Sequence, residues 1–270
     1  MHILLVILVC LVASFFAGIG TGFVGMSAAV AITPILMGFL GMEQFEATAI
    51  ALAADILASL TAAIIYGKNK NIDIKNGLII LISVLVFTIG GTIAARFVSP
   101  TVMGWGTVIT VLIMGLKLLI FPSDTKKNAD KQLSKRRKIL VSVGFGALIG
   151  FVCGFVGAGG GMMLLLTLTV LLGFEMHKAV GTSVFIMTFS ASLGSGAHIL
   201  LNKFTGNPIS GDIGNERFFL VLGLCMVFTL IFSFVGSKIA NKLSEKMLNL
   251  LSGIMLVCIA VTVLFVGMIF

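Results

Sequence analysis

The sequence predicts an all-α membrane protein that crosses the bilayer about ten times. Of its 270 residues, 59% are hydrophobic and only 10% are charged, whereas about a quarter of the residues of a soluble domain are charged. Glycine is frequent, with 32 residues, and membrane helices use more glycine than soluble helices do. This composition excludes an ordinary soluble domain, a disordered chain and a nucleic-acid-binding domain. The net charge of +8 therefore belongs to loops at the membrane surface.

Uncharged stretches mark the predicted spans, because a charged side chain at the bilayer centre is costly. Residues 3–42 and 139–174 lack Lys, Arg, Asp and Glu, and each stretch exceeds the length needed to cross a hydrocarbon core of about 30 Å. Each must fold back or break, so that eight full spans and two broken or re-entrant hairpin elements are expected. The predicted segments are about 3–21, 26–41, 44–66, 76–97, 101–121, 138–155, 160–174, 178–201, 217–239 and 245–269.

Two polar stretches connect the predicted spans, and neither is long enough for a catalytic domain. Residues 122–138 form a basic linker, and residues 203–216 form a second loop. If each long uncharged stretch folds back, all basic residues except Arg96, Lys203 and Arg217 lie on the side of the linker. The positive-inside rule then predicts a cytoplasmic linker, with both chain ends outside.

Similarity between the two halves predicts an inverted repeat. Gly18–Ala51 aligns with Gly150–Ser183 without a gap, and ten of the 34 aligned positions are identical. Each half holds five segments, and because five is odd the halves enter the membrane from opposite sides. We therefore expect a first membrane repeat over 1–121, the linker over 122–138 and a second membrane repeat over 139–270. Transporters built in this way hold their substrate at the interface of the repeats.

Small residues recur at every fourth position before the middle of each long stretch. They are Ser14, Gly18 and Gly22 in the first half and Gly146, Gly150 and Gly154 in the second. This spacing places the small residues on one face of a helix, where they let a neighbouring helix approach closely.

A glycine-rich break follows in each half, at residues 22–27 and 154–161. Such sequences are poor helix formers, and irregular backbone at membrane depth is tolerated only inside protein or beside a water-filled cavity. The helix after each break begins with free N–H groups and a positive dipole end, which attract anions. The predicted anion-binding residues are Gly22, Gly25, Ser27, Gly157, Gly159, Gly160 and Gly161. A tight hairpin turn without a ligand is the alternative.

Asp55 is the only acidic residue in the middle of a predicted span. An acid at this depth is a functional candidate by default, and Asp55 is therefore predicted to carry a coupling proton. Thr48 and Ser59 share its helix face, and the three residues together would line a path. The alternative is a packing hydrogen bond from a protonated Asp55. Met187 occupies the equivalent position in the second half, so the feature is not symmetric.

The glycine-rich elements resemble those of the sulfite exporter TauE/SafE family, also called the toluene-sulfonate uptake permease family. The second half matches best, with Gly157-Ala-Gly-Gly-Gly161 and Gly181-Thr-Ser183. The resemblance covers essentially the whole chain and implies an inner-membrane transporter of sulfite, sulfonates or other sulfur compounds. It also implies that Thr182 and Ser183 bind substrate. The first half departs from the pattern, since Met26-Ser-Ala-Ala29 replaces the glycines, and this leaves the identity of the anion open.

Together these observations favour a secondary transporter that moves a small, sulfur-containing anion by alternating access. Such a protein needs no cofactor, metal or catalytic residue. Its expected partners are the anion, a proton as co-ion and the lipid bilayer. An oligomer is compatible with this function. An anion channel or a membrane subunit of a larger assembly is the alternative. An intramembrane hydrolase built on Ser195 and His198 is less favoured, because the sequence shows neither an oxyanion site nor an orienting group.

Overall fold

The computed structural model consists of helices wherever regular structure is described. It describes residues 3–95, 109, 112, 113, 115–117, 119, 120, 135–156, 160–205 and 215–269. The helices are α1 (Ile3–Val24), α2 (Ala29–Leu40), α3 (Gln44–Lys68), α4 (Ile74–Ala95), α5 (Lys135–Val156), α6 (Gly160–Leu166), which continues as a π-helix (Thr167–Leu171), α7 (Met176–Thr205), α8 (Asn215–Ala240) and α9 (Glu245–Ile269). The predicted all-α class is confirmed, and most of the predicted segment at 101–121 lies outside the described residues.

Six of these helices are long and apolar enough to cross a membrane, which confirms a multi-pass membrane protein. They are α1, α3, α4, α7, α8 and α9. The apolar helices Ala29–Leu40 and Gly160–Leu171 are shorter. Twelve helical residues extend only about 18 Å, less than the hydrocarbon core of about 30 Å. Each of these two helices can therefore enter the membrane but not cross it, and each follows one of the predicted glycine breaks.

The outer surface is apolar, and the interior contains many small side chains. Ile82, Val86 and Leu140 are more than half exposed, as expected for side chains that face lipid. Inside, α3 packs against α7 at the centre of the described part of the fold, and each contacts a second long helix from the other half, α8 for α3 and α4 for α7.

The small residues of α1 pack directly against α8. A Cβ atom at Gly18 would meet the backbone carbonyl of Thr229, and one at Gly22 would meet the backbone of Ser237. The hydroxyl of Ser14 lies one turn earlier and donates to the carbonyl of Cys225 at 3.4 Å. The predicted close-packing face is thus confirmed for the first half.

The corresponding face of α5 packs against α4 in the same way. A Cβ atom at Gly150 would meet the carbonyl of Val84, and one at Gly154 would meet the carbonyl of Thr88. In each half, the first helix therefore packs against the fourth helix of the other half. An inverted repeat would produce this exchange, although the division of the chain into two repeats stays a prediction.

The short helices end with the same turn in both halves. Gly41 and Gly173 have φ angles of 64° and 69°, in the left-handed region that glycine adopts without a steric penalty. After them, the N–H of Met42 donates to the carbonyl of Leu36 at 3.4 Å, and Phe174 N–H donates to the equivalent carbonyl of the second half at 2.8 Å. Both turns return the chain to a full-length helix, α3 or α7.

Replacing Gly150 with Leu is expected to reduce stability strongly, because no space exists between α5 and α4 for the new side chain. Overpacking of this kind costs at least about 1–3 kcal/mol. The matched control is Gly144→Leu on the same helix, where the added Cβ has no neighbour within 4 Å. Thermal unfolding in detergent measures both. Equal melting temperatures for the two variants would contradict the close packing.

Candidate functional site

A small cavity lies where residues of both halves meet. Its volume of about 20 Å³ gives room for about one water molecule. The lining comes from the first break and from α3, α4, α5 and α7. The polar members are Ser27, Asp55, Thr88, Thr92, Cys153 and Ser190. Sequence reasoning identified Ser27 and Asp55 but did not single out the two threonines, Cys153 or Ser190 as site residues.

Asp55 caps the first short helix. Its side chain is 1% exposed, and its Oδ2 atom accepts a hydrogen bond from the hydroxyl of Ser27 at 2.6 Å. The Oδ1 atom accepts from the backbone N–H of Ala28 at 3.0 Å. The carboxylate thus lies at the positive dipole end of α2. The predicted coupling residue occupies the place in which the sequence predicts an anion, so the protein supplies its own negative charge at this break.

Neighbouring side chains hold the rest of the first break. The carbonyl of Gly22 accepts a hydrogen bond from the hydroxyl of Tyr66 at 2.8 Å, and the carbonyl of Met26 accepts from the hydroxyl of Thr21, also at 2.8 Å. These bonds satisfy backbone groups that would otherwise be exposed to an apolar interior. Because a Cβ atom at Gly22 would meet the backbone of Ser237, Gly22 is a packing position between α1 and α8.

The second break lies beside the first. Gly157 and Gly159 are outside the described residues, but Gly160 and Gly161 begin α6. A Cβ atom at Gly161 would meet both the carbonyl of Gly25 and the sulfur of Met187. The structure therefore brings together the two predicted breaks, with Met187 at the second break in place of a carboxylate.

The Gly-Thr-Ser element at the start of α7 supports the first half. A Cβ atom at Gly181 would meet the backbone carbonyl of Asn71. The Thr182 hydroxyl oxygen accepts a hydrogen bond from the backbone N–H of Asp73 at 3.0 Å. The Ser183 hydroxyl donates to the carbonyl of Val180 at 2.8 Å. Neither hydroxyl lines the cavity, so both predicted binding residues position other parts of the fold in this structure.

The remaining polar residues singled out from the sequence have local roles or lie outside the described part. The hydroxyl of Ser59 donates to the backbone carbonyl of Asp55 at 2.6 Å, within α3. Thr48 is buried on the same helix. The side chain of His198 is outside the described residues, so its predicted pairing with Ser195 has no description here.

Comparison with known proteins decides the family. The model of the family described as sulfite exporter TauE/SafE matches residues 10–263. The chain belongs to this TauE/SafE family. It is also similar to the "Probable membrane transporter protein YunE" of Bacillus subtilis (strain 168), with 26% identity over 68% of this chain and 75% of the relative. A "Probable membrane transporter protein" of Haemophilus influenzae is 28% identical over 73% of this chain and 74% of the relative. No solved structure gives a significant match.

Family membership confirms the resemblance drawn from the glycine-rich motifs and identifies the chain as a membrane transporter. It also fits the expectation that the protein is not an enzyme. The TauE/SafE motifs gain a structural explanation here. The Gly-Thr-Ser element of α7 packs against the α3–α4 loop through Thr182 and against the first break through Ser183, beside Gly25.

Replacing Gly25 with Ala is expected to destabilise this TauE/SafE protein more than replacing Gly41 with Ala. Both glycines have positive φ angles, of 65° and 64°, so each alanine pays about 1–2 kcal/mol for its backbone conformation. Only the alanine at position 25 would also collide with the hydroxyl of Ser183, whereas no atom lies within 4 Å of the Cβ position of Gly41. Thermal unfolding compares them.

The double variant Gly25→Ala/Ser183→Ala tests the cause of this difference. Removing the Ser183 hydroxyl should recover the part of the loss that comes from the collision and bring the melting temperature close to that of Gly41→Ala. No recovery in the double variant would show that Ser183 does not confine Gly25.

Proposed function

We propose that the protein is a secondary transporter of a small, sulfur-containing anion that binds where the two glycine breaks meet. The observation that carries this proposal is the contact of Gly161, at the start of α6, with the carbonyl of Gly25 in the first break. A cavity lined by both halves lies beside this contact. Secondary transporters use broken helices at such an interface to hold substrate.

The two breaks have different roles in this proposal. The first break is neutralised internally by Asp55, which accepts hydrogen bonds from Ser27 and Ala28. The second break has a methionine in the equivalent position, and its backbone is therefore the better place for an anion. We assign substrate binding to the glycines of the second break. These glycines are Gly157, Gly159, Gly160 and Gly161.

Asp55 then couples the anion to a cation. An ionised Asp55 and a bound anion repel each other strongly in a buried site, because the local dielectric constant is low. The anion binds stably only when a cation neutralises Asp55, and a proton is the cation that the sequence predicts. Coupling matters for direction: an inside-negative membrane potential favours exit of a lone anion by about 2.3 kcal/mol per charge per 100 mV, whereas entry needs a co-transported cation.

We further propose an inverted repeat in the inner membrane, with the basic linker at 122–138 in the cytoplasm and both chain ends outside. The exchange of first helices between the halves, α1 with α8 and α5 with α4, supports the repeat. The matching left-handed turns at Gly41 and Gly173 support it as well. Alternating access would then move these exchanged helix pairs relative to the central helices α3 and α7.

Counterflow in proteoliposomes tests the proposed function. Vesicles loaded with unlabelled sulfite should transiently accumulate radiolabelled sulfite above its equilibrium level, and thiosulfate, taurine or sulfate should compete if they share the site. A channel would equilibrate the label without this overshoot. The absence of counterflow with every sulfur-containing anion tested would refute the proposed substrate class.

A further inference from the structure

We propose that the cavity beside Asp55 is a sodium site, and that Na⁺ is the cation that neutralises this carboxylate. The inference deepens the proposed function, because it names the coupling cation of the same cavity. It rests on two observations. The hydroxyl groups described in the cavity lining already donate their protons to other groups, and Asp55 is the one charged residue among the lining residues described.

The hydroxyls that α4 contributes to the cavity already donate their protons to backbone carbonyls of the same helix. Thr88 donates to the backbone carbonyl of Val84 at 2.7 Å, and Thr92 donates to the carbonyl of Thr88 at 2.9 Å. A hydroxyl group has one proton and two lone pairs. Both threonine oxygens can therefore only accept from, or coordinate, a group inside the cavity.

The hydroxyls of the two lining serines also donate their protons to other groups. Ser27 donates to the Oδ2 atom of Asp55 at 2.6 Å, and Ser190 donates to the carbonyl of Met187 at 3.2 Å. The side-chain oxygens described in the cavity lining thus offer lone pairs rather than protons. Such a lining suits a cation, and hard cations prefer oxygen ligands.

The charge of the lining selects a monovalent ion. Asp55 is the only charged residue among the lining residues described, and the other titratable group is the thiol of Cys153. Each carboxylate oxygen of Asp55 accepts one of the two hydrogen bonds described above, which leaves a lone pair on each oxygen. One Na⁺ balances this single charge, whereas a divalent ion would leave an excess charge inside the membrane.

The size of the cavity admits only a small cation without its hydration shell. Its volume of about 20 Å³ holds about one water molecule, and neither bare Na⁺ nor bare K⁺ is larger than that, so the hydroxyl and carboxylate oxygens would replace the hydration water of either ion. Charge rather than size favours Na⁺, because the carboxylate of Asp55 attracts the smaller ion more strongly at its shorter contact distance. In this arrangement the cation lies in the cavity and the anion lies next to it at the second break.

Thermal unfolding of the purified protein in detergent tests the sodium site without any sulfur-containing anion. The protein is titrated with NaCl or KCl at constant pH, and choline chloride keeps the ionic strength constant. Binding to the folded state alone raises the melting temperature with saturation, and we expect a rise of about 5 °C at a hundredfold excess of Na⁺ over its Kd. K⁺ should give little or no rise.

Variants assign the effect to the cavity. Thr88→Val and Thr92→Val keep the side-chain shape but remove a coordinating oxygen, and each should weaken the Na⁺ response at least about tenfold, or by about 1.4 kcal/mol. Asp55→Asn should abolish it. The matched control is Thr188→Val, because Thr188 makes the same type of bond within α7 but does not line the cavity; it should respond like the wild type.

Three results would overturn the inference: equal responses to Na⁺ and K⁺, no response to Na⁺, or a full response in Asp55→Asn. If the melting temperature responds to pH alone while sulfite counterflow proceeds without Na⁺, the sodium site is refuted and the proposed anion transport stands with a proton as co-ion. If Na⁺ stabilises the protein but no sulfur anion is carried, the sodium site stands and the proposed substrate fails.

Discussion

Replacing Asp55 with Asn is expected to abolish cation-coupled net transport of the anion while preserving exchange of anion for anion. Asparagine is neutral, so the variant imitates the cation-bound state and admits the anion without a cation. It cannot bind and release the cation, and the net cycle stops. Because Asn is as good an N-cap as Asp, the hydrogen bond from Ala28 can persist, and α2 should keep its structure.

Proteoliposome assays separate these two activities. Net uptake driven by a cation gradient should fall at least about tenfold, which corresponds to about 1.4 kcal/mol in the barrier, whereas counterflow should stay near the wild-type rate. Glu43→Gln is the control, because Glu43 is an exposed carboxylate between α2 and α3, and both activities should be unchanged. Net uptake by Asp55→Asn at the wild-type rate, still driven by the cation gradient, would rule out Asp55 as the coupling residue.

Filling the cavity from α7 is expected to block transport without unfolding the protein. Gly194 is buried and lines the cavity, and no atom lies within 4 Å of the position that its Cβ would take. The first carbon of a new side chain at this position therefore meets open space, but the whole leucine side chain is larger than the cavity of about 20 Å³. Sulfite flux should fall at least about tenfold, and the melting temperature should fall moderately because the site is overpacked. Gly194→Ala should have a smaller effect.

The matched control for this variant lies two residues further along the same helix. Gly196 also has no neighbour within 4 Å of its Cβ position, but it does not line the cavity. Gly196→Leu should keep its flux. Wild-type flux in a stably folded Gly194→Leu variant would mean that the cation coupled to the anion does not use this cavity.

Local sequence patterns predicted much of the fold. Uncharged stretches and spacing by four residues depend on helix geometry alone, so the spans and the packing of Gly18 and Gly150 could be found without tertiary information. The same holds for the alignment of Gly41 with Gly173, which both end a short helix in the left-handed conformation. The family could be recognised because its glycine motifs are contiguous in the sequence.

The partners of the break residues could not be predicted, because they come from distant parts of the chain. The inference that α2 begins with free N–H groups considered only its own sequence, but Asp55 reaches the Ala28 N–H from 27 residues away. Thr182 looked like a ligand for the anion, whereas its hydroxyl holds Asp73 across 109 residues of sequence. The alignment of Asp55 with Met187 did indicate that the two halves differ in this acid, although it did not connect Asp55 with the first break.

The most direct test of the central claim is calorimetric titration of sulfite into the purified protein and into Gly194→Leu, in the presence of the coupling cation. The proposed site predicts saturable binding of one anion per chain in the wild type, and loss of most of that affinity in the folded variant, because the cation that balances the anion has no room. Absence of sulfite binding to the wild type, or equal binding to both proteins, would contradict an anion site at the meeting point of the two glycine breaks.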